Sequence, residues 1–223
     1  MKRLITLFIV ITLVFLLCFG LVSCDRKYNE EEVLSAARIL IEKSMVLNEI
    51  YWGKGIPFEP TVISLYSEAN LFALYELGFY TLDELKIKTH EVFTNAYCEN
   101  IFESSFESET ELETHRFFHR YYQKYADEDK TEPVSIMVYS KFENLLPDKV
   151  EYLYDTLKVS HVERDTVYVS IMAIVTRDEK SVQIKQNVIA LKEEENGWRI
   201  DSPTYLKYND KKDEYEDLLD KKQ

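Results

Sequence analysis

Val167, Val169, Ile171, Ala173 and Val175 put an aliphatic residue at every second position from 167 to 175. A period of two puts all five side chains on one face of an extended chain, so this segment is a β-strand with one buried face. Its neighbours read the same way. Val134 to Val138 forms a strand. Val150 to Val162 forms a long one, turned by Glu163-Arg164-Asp165. Ser181 to Lys192 forms another, with Val182, Ile184, Val188 and Ala190 on one side. Asn196-Gly197 signals a hairpin, and Trp198 to Ser202 closes the series before Pro203. Residues 134 to 203 therefore predict at least four antiparallel strands, with the five alternating residues facing a core.

The first half of the chain has a different period. Asn29 precedes Glu30-Glu31-Glu32, a helix start with Glu32 placed for a capping box and acids at the positive end. Val33, Ala37, Leu40, Ile41 and Leu47 recur at helical spacing, and the helix should fail between Asn48 and Gly55. Leu71, Leu74, Tyr75 and Gly78 suggest a further helix. Thr81-Leu82-Asp83-Glu84 is a second capping box. Thr94 to Phe106 gives a short helical stretch. Ser104 to Thr114 is polar and reads as a loop, and the state of 115 to 125 stays open. Helices followed by a strand meander make an α+β fold, with the N-terminal helices packed on a curved antiparallel sheet of four or more strands.

Thr81-Leu82-Asp83-Glu84-Leu85, then Val92-Phe93-Thr94 and Tyr97, then Asn196 to Thr204 resemble the NTF2-like (cystatin-like superfamily) lipoproteins of low-GC Gram-positive bacteria. The resemblance covers roughly residues 31 to 206. It implies a half-cone, in which a curved sheet wraps helices around a conical pocket. That superfamily holds isomerases, dehydratases and non-catalytic binding modules, so the fold does not choose among them.

The N-terminus sets the compartment. Lys2 and Arg3 precede Leu4 to Leu21, a run without charge, and Leu21-Val22-Ser23-Cys24 follows. Leu-Val-Ser-Cys resembles the bacterial lipoprotein signal. The resemblance implies cleavage after Ser23 and lipidation of Cys24, which places the chain at the cell membrane on the exported face of a bacterial envelope. The alternative is an uncleaved anchor helix. The expected organisation is a signal peptide over 1–23, a lipidated tether over 24–30, the domain over 31–206 and a charged tail over 207–223. Loss of Lys2 and Arg3 takes the formal net charge from −13 to −15. Such acidity argues against nucleic-acid partners. Of the three cysteines, Cys18 leaves with the leader and Cys24 is acylated. Cys98 then stands alone, expected as a buried thiol with no disulfide.

Tyr51 to Pro60 is the most unusual loop, with Gly53, Gly55, Pro57 and Pro60 around Tyr51, Trp52, Ile56 and Phe58. It reads either as a lid over the core or as a binding rim of Tyr51, Trp52 and Phe58, since rigid aromatics suit contact surfaces. Glu111, His115 and His119 would share one helical face, a possible metal arrangement, yet the HExxH glutamate is missing, and a polar face beside core aromatics is the simpler reading. Asp155 and His161 lie on the same face as Leu153, Leu157 and Val159 of a regular strand, which would suit an acid–base pair inside the cone. Neither a metal nor any cofactor is expected. Two functions follow. The first is a non-catalytic module binding a protein, peptide or small ligand, a regulator of envelope or cell-wall processes. The alternative is a pocket enzyme of isomerase or dehydratase type. The state of the cone interior separates them.

Overall fold

A computed structural model of the chain describes residues 28–59, 65–106, 119–141, 144–146, 148–178 and 181–208. The expected signal peptide, Cys24, Pro60, Glu111, His115 and the tail beyond 208 lie outside them. The fold is α+β, with helices and two antiparallel sheets.

Helix α1 (Glu30–Tyr51) starts where Asn29 Oδ1 accepts the Glu31 N–H at 3.2 Å, with Glu30, Glu31 and Glu32 in the first turn. It buries Val33, Ala37, Leu40, Ile41, Leu47 and Tyr51 along one side. The N–H groups of Trp52 and Gly53 both turn back to Asn48 O and end the helix. Helix α2 (Leu71–Leu77) is capped by Asn70 and stopped by Gly78, whose φ of 73° allows its N–H to reach Leu74 O and Tyr75 O. Helix α3 (Leu82–His90) begins with the full Thr81/Glu84 capping box, and α4 (Asn95–Ser105) is capped by Thr94.

The small sheet joins β1 (Tyr66–Glu68), β2 (Tyr121–Tyr125) and β3 (Pro133–Tyr139), with β3 central. The large sheet is a meander of β4 (Lys149–Glu163), β5 (Thr166–Asp178), β6 (Ser181–Glu194) and β7 (Gly197–Ile200). The predicted strand at 134–138 therefore belongs to a separate sheet. Val167, Val169, Ile171, Ala173 and Val175 are all buried, at 3 % exposure or less. The first four form one core with the inner side of α1, with Phe93 and with Ile200.

Two sequence expectations for the large sheet need correction. The first concerns β6. Val182, Ile184, Val188 and Ala190 do share one side, but it is the outer one: the first three are exposed, Ala190 is buried, and Asn187, Ile189 and Leu191 are the buried residues of the other side. The reason is register: Ile171, Val169 and Val167 stand opposite Asn187, Ile189 and Leu191. Antiparallel partners point to the same face, so the inward residues of β5 pull these three in. The second concerns β4, whose register shifts between Leu153 and Lys158 and again between Val159 and His161. Each bulge flips the strand, so Tyr152 and Val159 stand opposite the inward Ala173 and Val169, and His161 stands opposite Tyr168. Thr156 closes the first bulge by taking the Met172 N–H at 2.9 Å.

Candidate functional site

The interior beneath α1 is filled. Ser44 and Asn48 of α1 are buried, and Thr204 lies between them and the sheet. Asn48 Nδ2 donates to Thr204 Oγ1 at 2.9 Å, and that hydroxyl bonds Ser44 Oγ at 2.7 Å. Tyr152 donates its phenol to Thr204 O and accepts from Asn187 Nδ2 at 2.8 Å. Burial, offset in part by the Asn187 bond, pushes the Tyr152 phenol up to about 12. This network ties α1, β4, β6 and the segment after β7 together without an acid or base in it.

Asp155 and His161 do not meet there. Both are exposed, Asp155 within the first bulge and His161 on the outer face, stacked on Tyr168 with ring centroids 4.2 Å apart. The acid–base expectation rested on unbroken alternation, which the bulges remove. The buried carboxylate among the described residues is Asp148, held by Arg177 Nε at 2.9 Å and by the Tyr208 N–H at 2.7 Å. Burial raises its pKa, but the Arg177 bond and the Tyr208 N–H outweigh that, and the carboxyl stays below its ordinary range. His119 sits in non-helical chain just before β2, so it does not continue a helical face with His115. Among the described residues no three His, Cys, Asp or Glu side chains cluster as a metal site. Cys98 is fully buried, and burial pushes its thiol up to about 12, which suits an inert packed sulfhydryl.

The loop after α1 is a packed structure with a hidden clamp. Arg120, only 2 % exposed, donates from Nη1 to Tyr51 O at 2.8 Å and from Nη2 to Gly53 O at 2.6 Å. Tyr121 completes the hold: its hydroxyl donates to Ile50 O at 2.7 Å and accepts the Ile56 N–H at 3.1 Å. Gly55 has φ of 85°, and a Cβ there would stand 2.4 Å from Arg120 Nη2. Tyr51 is buried, with its phenol bonded to Thr89 Oγ1 at 2.7 Å, so its ring is core and not surface. Trp52 is half-buried against Tyr51 and Tyr205, and Phe58 is half-buried, with a backbone bridge to Ala69. The rim expected of Tyr51, Trp52 and Phe58 thus loses Tyr51. No sequence signal pointed to Arg120, because its partners are backbone carbonyls far away in the chain.

The open space lies elsewhere. A cleft of about 840 Å³ runs between the small sheet and the first turn of α3. Its walls carry Tyr66, Tyr121, Tyr122, Tyr125 and Phe106; Asp83, Lys86, Gln123, Lys130 and Thr131 add polar groups. The aromatics are pre-set. Tyr66 packs on Tyr122 (4.9 Å) and Tyr139 (5.3 Å), and donates its hydroxyl to His119 O at 3.0 Å. Burial pushes the Tyr121 phenol up to about 12 despite the adjacent Arg120 charge. Gln123 spans the gap, accepting the Leu82 N–H and donating to Ser135 O, both at 3.0 Å. Lys86 lies 3.4 Å from Asp83 and 5.5 Å from the Phe106 ring centroid. Such walls stack on flat or extended apolar groups and bond the amides or hydroxyls beside them. The sequence hinted at this only through its 16 tyrosines.

No protein-family description, curated protein or solved structure matches this chain.

Proposed function

We propose that this chain is a bacterial surface lipoprotein, acylated at Cys24 after cleavage behind Ser23, whose NTF2-like half-cone binds a partner without catalysis. The occupant is an extended peptide segment of an envelope protein, laid in the aromatic cleft between β2 and α3. The observation that carries this reading is the contrast of spaces. The interior that an isomerase-type relative would keep open is packed with side chains, while the tyrosine-lined cleft stands open with hydroxyl, amide and charged groups at its margin. Rigid aromatic walls suit the polyproline-like and extended conformations of peptides. Trp52 and Phe58 remain as a second contact surface. The anchor in this reading is the lipid at Cys24; among the described residues, which do not include Leu4 to Leu21, no helix is long and apolar enough to cross a membrane.

Two experiments test the two halves. Cys24→Ser should leave unprocessed precursor without fatty-acid label; mature-sized, labelled product from that variant would refute the anchor. For the cleft, the full-length protein is titrated with an arrayed library of extended peptides. Tyr122→Ala and Tyr125→Ala should each abolish the peptide signal with the melting transition retained. Peptides bound equally well by both variants would remove the cleft from the function.

A further inference from the structure

The large sheet has two very different free margins. The β4 edge carries two bulges and a series of exposed charges, Glu151, Asp155, Lys158 and Glu163, the usual devices against strand addition. At the other side β7 is only four residues long and covers β6 from Leu191 to Glu194. Its own outer edge is closed by the Val92–Thr94 segment, through Ile200 N to Val92 O and Thr94 N to Ile200 O, both 2.9 Å.

Beyond β7, the first part of β6 is open. Ala190 directs its carbonyl to Asp201 N at 2.8 Å and its N–H to Ser202 Oγ at 3.0 Å, both away from β5. Alternation therefore points the N–H and C=O of Val182, Ile184, Gln186 and Val188 out of the same edge. Among the described residues nothing pairs with those groups. The strand is regular here, without bulge or proline, and Val182, Ile184 and Val188 are 54, 67 and 45 % exposed. One charge occurs in this run, Lys185, and its ammonium is turned to Lys207 O at 2.7 Å.

We propose that this edge pairs with the same edge of a second copy, antiparallel and centred on Gln186, joining the two large sheets into one. The edge chemistry selects that occupant because its free stretch from Ile184 to Val188 complements itself in this register. Gln186 faces Gln186 of the second copy, and Ile184 faces Val188, so amide meets amide and apolar meets apolar. Lys185 faces Asn187. Centring on Lys185 would set two ammonium groups opposite each other, which is destabilising. Centring on Ile184 would set Val182 against Gln186 and leave Val188 past the end of the facing strand. Gln186 is also one of the outward-bonding residues, so the central pair exchanges two backbone bonds across the two-fold axis. This inference is independent of the cleft.

The test is site-specific crosslinking in the full-length protein at its native membrane. In the proposed register the two Gln186 Cα atoms lie about 5.5 Å apart, within the span of a disulfide. Gln186→Cys should give a covalent dimer under mild oxidation. Val188→Cys should not, because it is displaced from its own copy by four residue steps, about 13 Å along the strand. Wild type supplies the background. Ile184→Lys, at an exposed site, should leave circular dichroism unchanged and shift the sedimenting species from dimer to monomer. With a formal charge of −13 on each whole chain, or −15 once the leader is removed, added salt should strengthen the wild-type dimer. A monomeric wild type at all concentrations and salts, or equal crosslinking from positions 186 and 188, would overturn the proposal.

Discussion

The space beneath α1 and the space beside β2 use the same kinds of residue to opposite ends. Under α1, Tyr152, Thr204, Asn48 and Asn187 bond one another within a core of buried apolar residues. Beside β2, Tyr66, Tyr122 and Tyr125 are only half-buried and wall an open cleft. The difference lies in what backs each set. The first has a 22-residue helix pressed on a long sheet. The second has a short sheet met by the end of α3, tied across mainly by Gln123. A pocket on this scaffold therefore forms at the margin where short elements meet, and the space between α1 and the large sheet is core.

Substitutions that strike the closed region should dwarf those in the open one. The largest effect is expected at the clamp between them. Arg120→Met strands the buried Tyr51 and Gly53 carbonyls, each at a cost of about 1–3 kcal/mol. Denaturant unfolding should show it, together with loss of the ordered Trp52 environment in tryptophan fluorescence. A stable variant with unchanged fluorescence would break the claim that Arg120 shapes the loop. Ile171→Ala in the filled interior should cost about 2–5 kcal/mol, the range for truncating a buried aliphatic side chain. A cost close to zero there would mean that the interior holds slack, and the contrast with the cleft would fail.

A smaller effect separates the regions by pH. The Asp148 carboxyl is held below its ordinary range in the folded chain, so it contributes stability above that range. That stability is lost as pH falls through the lowered pKa. Asp148→Asn should be less stable than wild type near neutrality, and the gap should close on acidification. A gap that is constant with pH would show that the Arg177 pair is not the source. The smallest stability effect belongs to the cleft. Tyr125→Ala should cost about 1 kcal/mol or less, as for substitutions away from the core, while abolishing peptide binding. If it unfolds the domain, the cleft is part of the core and the comparison collapses.

Much of this arrangement was readable from local pattern. Asn29 and Thr81 cap the helices they were expected to cap, Thr81 with its capping box and Asn29 through the Glu31 N–H without one, and Asn70 and Thr94 cap the other two, because a cap is an exchange between a side chain and a backbone amide two or three residues on. Gly78 stops α2 for an equally local reason. The two-residue turn into β7 comes one residue earlier than expected, at Glu195-Asn196, with Gly197 taking the positive φ of 102°. The buried thiol of Cys98 follows from its place on the inner side of α4. The cleft was not legible, since Tyr66, Phe106 and Tyr122 come from separate elements with no shared spacing.

By itself the sequence determined the two periods, and with them the α+β class, the order of the helices and of the long strands, and the burial of one face of α1 and β5; it did not mark β1 or β2. Those properties depend on residues a few positions apart, where backbone geometry alone relates side chain to side chain. Tertiary structure decided the rest. It chose the inward face of β6, through partners on β5, and set the two flips of β4, through its bulges. It also placed the Arg120 clamp, separated the 133–139 strand into its own sheet, and located the open cleft and the free β6 edge. Each of these depends on pairing across long stretches of chain, and a one-residue change of register reverses which face is buried. No periodicity within a single strand carries that information.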